Sequence, residues 1–221
     1  MITVNNLSFS YGKHRVLDKL CFSVAPGKCL VLAGPNGSGK STALSIIAGA
    51  LKASCGTVSI DGKVGYVPQG SALLEDATVA ENLKFFSKLS KADIPKVLPF
   101  SVEKYLDRRV SRLSGGMKKQ VSIACALIGD PQLILLDEPC AALDIAFRDE
   151  MISIIENWKR EGKAVIYVGH DPAEFFSFYD TILFLDKEAK EFSRRNLAKE
   201  ADDEAEFVNF YKKTLLSIDR K

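Results

Sequence analysis

"CLVLAGPNGSGKSTALSIIAGAL", residues 29–51, holds the pattern on which the fold turns. Its first residues are apolar without alternation, as in a short strand buried on both faces of a parallel sheet. Its last eleven place Ala43, Ile46, Ile47 and Leu51 at helical spacing. Between them stands Gly34-Pro35-Asn36-Gly37-Ser38-Gly39-Lys40-Ser41-Thr42, a complete G-x-x-x-x-G-K-S phosphate-binding loop in its required strand-to-helix context. The glycines let successive N–H groups turn inward on a phosphate, and the helix N-terminus adds about half a positive charge. Lys40 suits the β- and γ-phosphates of a nucleotide, and the Ser41 hydroxyl suits Mg²⁺.

Outward from this loop the chain alternates strands and helices. "ITVNNLSFSY" and "LCFSV" precede it as strands joined by a turn at "GKHR", and "GTVSIDGK" and "VGYVPQ" follow as short strands bounded by glycine. Strand signals stop between residues 71 and 113, where "TVAENLKFFSKL" and "VEKYLDRRV" read as amphipathic helices separated by Pro95 and Pro99. The core then resumes with the helix "GMKKQVSIACALI", the strand "QLILLDEP", the helix "AFRDEMISIIENWKREG" and the strands "AVIYVGH" and "TILFLD". The fold class is α/β: a P-loop NTPase core with a mostly parallel sheet, an N-terminal antiparallel β part and a small inserted helical lobe. One domain is expected, with 1–70 and 114–190 as the nucleotide-binding core, 71–113 as the lobe and 191–221 as a charged tail. That tail carries one helix, with Val208, Tyr211, Leu215 and Ile218 on one face, packing on its own domain.

The 221 residues suffice for one such core and are too few for two full domains. Thirty Lys+Arg against 28 Asp+Glu give a formal +2, which invites neither nucleic acid nor anionic lipid. The N-terminus lacks a signal-peptide pattern, and no apolar run is long enough to span a membrane. The five cysteines, Cys21, Cys29, Cys55, Cys125 and Cys140, form no CxxC pair and read as free thiols of a reducing cytosol.

"LILLDEP" ends an apolar strand on Asp137 and Glu138. Two adjacent acids at such a tip are costly unless a cation or a reaction uses them. Asp137 is the candidate second Mg²⁺ group, and Glu138 the candidate base that polarises water for attack on the γ-phosphate. These two motifs also fit a small-molecule kinase or a GTPase, but no Asn-Lys-x-Asp segment for guanine is present. Tyr11, in the turn after the first strand, is a candidate to stack on adenine.

"LSGGMKKQ", residues 113–120, is a second Ser-Gly-Gly turn opening a helix. It resembles the signature motif of the ATP-binding cassette family, and the other family motifs follow in the family's order over residues 1–190. "VPQ" gives Gln69 as the Q-loop glutamine, "CAALD" gives Asp144 in the D-loop, "VGHD" gives His170 as the switch histidine, and Tyr11 matches the A-loop aromatic. The resemblance implies ATP and Mg²⁺ as cofactors and a head-to-tail dimer with a second copy or a paralogue. In it, Ser114, Gly115 and Gly116 of one subunit close over ATP held by the other's phosphate loop. It also implies that Gln69 senses metal and attacking water, that His170 contacts the γ-phosphate, and that Asp144 works across the interface.

Two departures stand out. Lys119-Gln120 replaces a usual Gln-Arg pair, altering a helix-surface contact, and Cys140 replaces a small hydroxyl residue, placing beside Glu138 a thiol that either reacts with thiol reagents or is buried and inert. The implied role is an ATPase subunit docked on separate membrane subunits at the cytoplasmic face, with the compact lobe favouring the export-type branch. A single-cassette ATPase that drives assembly without a transporter is the alternative.

Overall fold

The computed structural model describes residues 1–141, 145–185, 189–197 and 203–219. Strands β1 (Ile2–Tyr11) and β2 (His14–Val24) pair antiparallel across the two-residue turn Gly12-Lys13. The register slips between Val4 and Ser10, which explains the imperfect alternation of the first strand. β3 (Cys29–Ala33) leads through the phosphate loop into α1 (Lys40–Ile47), and β4 (Cys55–Ile60) returns to the free side of β1, closing a three-stranded antiparallel sheet.

β5 (Val64–Val67) begins the larger sheet, at its edge. With β6 (Leu133–Asp137), β7 (Ala164–Val168) and β8 (Thr181–Phe184) it builds the order β5-β6-β7-β3-β8, every pair parallel. A final strand, β9 (Lys190–Ser193), pairs antiparallel with β8. Side chains alternate across each strand, and this sorts the core into two faces. Val31, Ile134, Leu136, Val165 and Tyr167 face one cluster, while Leu30, Leu32, Leu135, Ile166 and Val168 face the other, beneath α1 and the antiparallel sheet.

The segment 71–113 contributes one α-helix, α2 (Val79–Ser90), started by a reciprocal capping box between Thr78 and Glu81. Buried Asn82 holds the loop before it, accepting from the Leu74 N–H at 2.8 Å and donating to the Leu74 and Thr78 carbonyls. The helix expected at "VEKYLDRRV" is not an α-helix. It is replaced by short 3-10 turns at Pro99–Tyr105 and Val110–Arg112. Phe100 and Ser101 take φ of +60° and +51°, which no helix accommodates, and this lets Phe100 bury its ring 5.0 Å from that of Phe147. Val79, Leu83, Phe100, Val102 and Val110 join the same apolar cluster as the sheet residues Ile134 and Leu136, so the lobe shares the core.

α3 (Gly115–Ala126) precedes β6, and α4 (Ile145–Arg160) follows it, burying Phe147, Met151, Ile155 and Trp158 at helical spacing. One-turn helices α5 (Pro172–Phe175) and α6 (Arg194–Leu197) lead to α7 (Glu204–Asp219). α7 packs on its own domain: Tyr211 lies 5.4 Å from the ring of Phe184, and Phe207 stacks on Tyr179 at 4.9 Å. Phe207 is fully buried, whereas Val208 and Leu215 are half-buried, so the apolar stripe is centred nearer Phe207 than the sequence spacing indicated. The tail also holds β9, whose single apolar residue, Phe192, meets Phe184 edge-on. One aromatic among charged neighbours is too weak a strand pattern to read from sequence.

Candidate active site

Parallel strands deliver their C-terminal loops to one edge of a sheet, and that edge is where α/β proteins bind ligands. Here the loop after β3 carries the phosphate-binding motif, the residues after β5 carry Gln69, the end of β6 carries Asp137 and Glu138, and the residues after β7 carry His170.

In the phosphate loop two glycines are demanded by space as well as by conformation. A Cβ on Gly34 (φ +145°) would lie 2.7 Å from the Leu185 carbonyl oxygen and from Ser38 Oγ. A Cβ on Gly39 (φ +96°), the N-cap of α1, would lie 2.8 Å from Leu17 Cδ2 and 2.9 Å from Val16 Cγ1. Lys40 is 6% exposed, and its Nζ donates to the Gly34 and Pro35 carbonyls at 2.8 Å each. Burial lowers its pKa, against the opposing charges of Glu138 and Asp137.

Asp137 ends β6 fully buried. Burial raises its pKa, and the hydrogen bond with Ser41 works the other way. Asp137 Oδ1 and Ser38 Oγ are the buried side-chain oxygens left without a partner among the described residues. A buried unpaired carboxylate oxygen is costly, and a carboxylate with a neighbouring hydroxyl is the hard oxygen set that Mg²⁺ prefers. The residues present therefore fit that metal. Glu138 takes φ +49°, a left-handed conformation costing about 1 kcal/mol in a residue with a Cβ, and its N–H donates to the Val168 carbonyl at 2.9 Å. Gln69 Nε2 donates to its Oε2 at 2.9 Å, and His170 Nε2 lies 2.7 Å from its Oε1. Gln69, Glu138 and His170 thus form one hydrogen-bonded chain.

A cleft of about 510 Å³ is lined by Tyr11, His14, Val16, Asn36, Gly37, Gly39, Lys40, Ser41, Thr42, Gln69 and Glu138. Tyr11 stands at the tip of the β1–β2 hairpin, 54% exposed, touching the edge of Phe9. Ser114, Gly115 and Gly116 do not line this cleft. Ser114 and Gly115 are exposed, and Ser114 Oγ caps α3 by accepting from the Met117 N–H at 3.3 Å. Asp144 lies outside the described residues.

The family profile described as ABC transporter matches residues 17–141, more than half of the chain. The chain belongs to the ABC transporter family. It carries the ATP-binding subunit's ATPase cassette, which uses ATP with Mg²⁺. It is 38% identical over 198 residues to the Nod factor export ATP-binding protein I of Mesorhizobium japonicum, covering 80% of this chain and 58% of that protein's length. Against the zinc import ATP-binding protein ZnuC of Yersinia pestis it is 36% identical over 195 residues, covering 85% of this chain and 76% of that protein. Among solved structures, the ATP-binding subunit of an ABC transporter shares the fold at a TM-score of 0.85 and 24% identity, over 98% of this chain and 99% of the other. A dimeric bacterial ABC transporter cassette matches at 0.74 and 26% identity, over 87% of this chain and 98% of that one. Among the described residues of this ABC cassette, no helix is long and apolar enough to cross a membrane.

Two features of the ABC site were not legible beforehand. Lys119 does not point outward: its Nζ donates to the Pro68 and Gln69 carbonyls, under the loop that carries Gln69. Behind His170, the Tyr167 hydroxyl donates to buried Glu174 at 2.9 Å, and Arg148 on α4 pairs with both Asp171 and Glu174. Cys140 belongs to this interior. It is 7% exposed, and burial pushes its thiol up to about 11, so of its two possible fates the structure favours the buried, inert thiol over the one that reagents reach.

Proposed function

We propose that this ABC subunit hydrolyses ATP with Glu138 as general base, and that it works as a head-to-tail dimer seated on separate membrane subunits. The observation that carries this reading is the hydrogen-bonded chain of Gln69, Glu138 and His170 at the mouth of the phosphate loop. Glu138 takes the proton of the attacking water, and Gln69 and His170 hold its two oxygens in a fixed direction. Lys40 and the loop N–H groups hold the nucleotide phosphates, Ser41, Asp137 and Gln69 hold the metal, and Tyr11 stacks on the base. Mg²⁺, when bound, supplies neutralising charge to the phosphate oxygens.

The second cradle supports the dimer reading. Ser114, Gly115 and Gly116 do not line the chain's own cleft, yet they open a 12-residue helix whose positive end suits an anion. A partner's γ-phosphate is the ligand this reading assigns to them, with Asp144 assigned to the same seam on the family resemblance. Docking on membrane subunits is supported by the exposed Leu74, Phe85 and Leu89 in the 71–113 lobe. This would hold the protein at the cytoplasmic face, with 1–70 and 114–190 as core and 191–221 as tail. The export-type reading rests on the compactness of the lobe, since the relatives include both an export and an import protein. The purified chain should release phosphate from ATP only with Mg²⁺, and Lys40→Ala should reduce release to background. Equal release by both proteins would contradict the proposal.

A further inference from the structure

α3 carries the Ser114 turn at its tip, and one turn further along Lys119 reaches inward from the same helix. The Lys119 ammonium donates to the main-chain carbonyl of Pro68 at 2.9 Å and to that of Gln69 at 3.1 Å. Both acceptors are neutral, although the carboxylates of Asp137 and Glu138 lie close enough to attract it. A half-buried ammonium is expensive to desolvate, and here that cost is met at the loop that presents Gln69. Gln69 turns back from this anchored point, its side-chain amide donating to Glu138 Oε2 at 2.9 Å. The connection runs without a gap from α3 through Lys119 and the Gln69 backbone to Glu138.

We propose that Lys119 is a positioning residue for hydrolysis, fixing the Gln69 loop so that the Gln69 amide meets Glu138. The inference rests on the reading of Glu138 as the base and deepens it. Lys119 does not line the cleft; it acts through Gln69. Methionine keeps the length of the side chain and removes its donors, and glutamine keeps a donor group but is too short to span both carbonyls. Arginine keeps charge and several donors.

The test is steady-state and single-turnover phosphate release by the full chain carrying Lys119→Met, Lys119→Gln, Lys119→Arg, Gln69→Ala, or Lys119→Met with Gln69→Ala. Lys119→Met and Lys119→Gln should each lower kcat about tenfold with KM unchanged, and Lys119→Arg should recover most of the loss. In the Gln69→Ala background, Lys119→Met should cost nothing further, because a residue that acts only through Gln69 loses its effect when that amide is gone. Wild-type kcat in Lys119→Met or Lys119→Gln, or the same tenfold loss repeated in the Gln69→Ala background, overturns the inference. Glu138→Gln, measured in parallel, separates the two claims. If it hydrolyses at the wild-type rate, the reading of the base fails; if it is inactive while Lys119→Met and Lys119→Gln are normal, only the role of Lys119 fails.

Discussion

Glu138→Gln removes one charge and almost no volume, so its effects can be apportioned from the geometry. The carboxylate accepts from Gln69 Nε2 at 2.9 Å on one oxygen and lies 2.7 Å from His170 Nε2 on the other. An amide has one acceptor oxygen and one donor nitrogen. It can accept from Gln69 and turn its NH₂ to His170, since a ring nitrogen of an imidazole can accept as well as donate. The fold should therefore lose about 1 kcal/mol or less. The phosphate loop is untouched: Lys40 keeps both carbonyl partners and Asp137 keeps Ser41. Nucleotide affinity should thus stay within about threefold of wild type. Hydrolysis should not survive, because the amide cannot take up the proton of the attacking water. A positioned base contributes roughly 10²–10⁴ in rate, or about 3–5 kcal/mol of barrier. Single-turnover phosphate release with enzyme in excess measures the chemical step, and a fluorescent ATP analogue measures affinity in the same buffer. Turnover within about threefold of wild type would refute the assignment of the base. So would an equal loss of affinity and rate, since that would place Glu138 in binding.

Tyr11→Ala should weaken ATP binding about two- to tenfold, the range of an aromatic stacking contact, with kcat unchanged at saturation; collapse of kcat at unaltered affinity would count against Tyr11 as the base platform. Asp180→Asn probes the fold at the other end of the strands. Burial raises the Asp180 pKa, but hydrogen bonds from Lys159, the Cys29 N–H and Lys28 together hold it below the usual range. A depressed carboxyl stabilises the fold above its unfolded pKa and loses that contribution as pH falls through its folded one. Denaturant unfolding should show a cost of about 1.5–3 kcal/mol at neutral pH, shrinking below about pH 4, and a cost independent of pH would contradict this.

What could be read in advance was whatever a local pattern encodes. The strand, glycine loop and helix of 29–51 are adjacent in sequence, and so are Asp137 and Glu138 at the end of β6, so their structures follow from spacing and burial alone. The convergence of Gln69, Glu138 and His170 was legible only through the order of family motifs, because three separate strands bring them together. The inward turn of Lys119 had no local signature: a lysine at that position of an amphipathic helix ordinarily faces solvent, and its acceptors are backbone carbonyls some fifty residues earlier. Thr78 and Glu81 did carry a signal, the T-x-x-E spacing of a capping box, that marks where α2 starts. The bend at Phe100 and Ser101 did not, since ordinary residues hold positive φ there to seat Phe100 against Phe147.

In the dimer proposed above, each ATP is shared between the phosphate loop of one subunit and the Ser114 turn of the other. Light scattering coupled to size-exclusion chromatography tests this directly on Glu138→Gln, in which bound ATP should persist. The Glu138→Gln chain should be a monomer without nucleotide, a dimer with Mg-ATP, and a monomer again when Ser114→Arg is added, with ATP still bound to the phosphate loop of that doubly substituted chain. A dimer that forms without ATP, or that survives the Ser114 substitution, would contradict it.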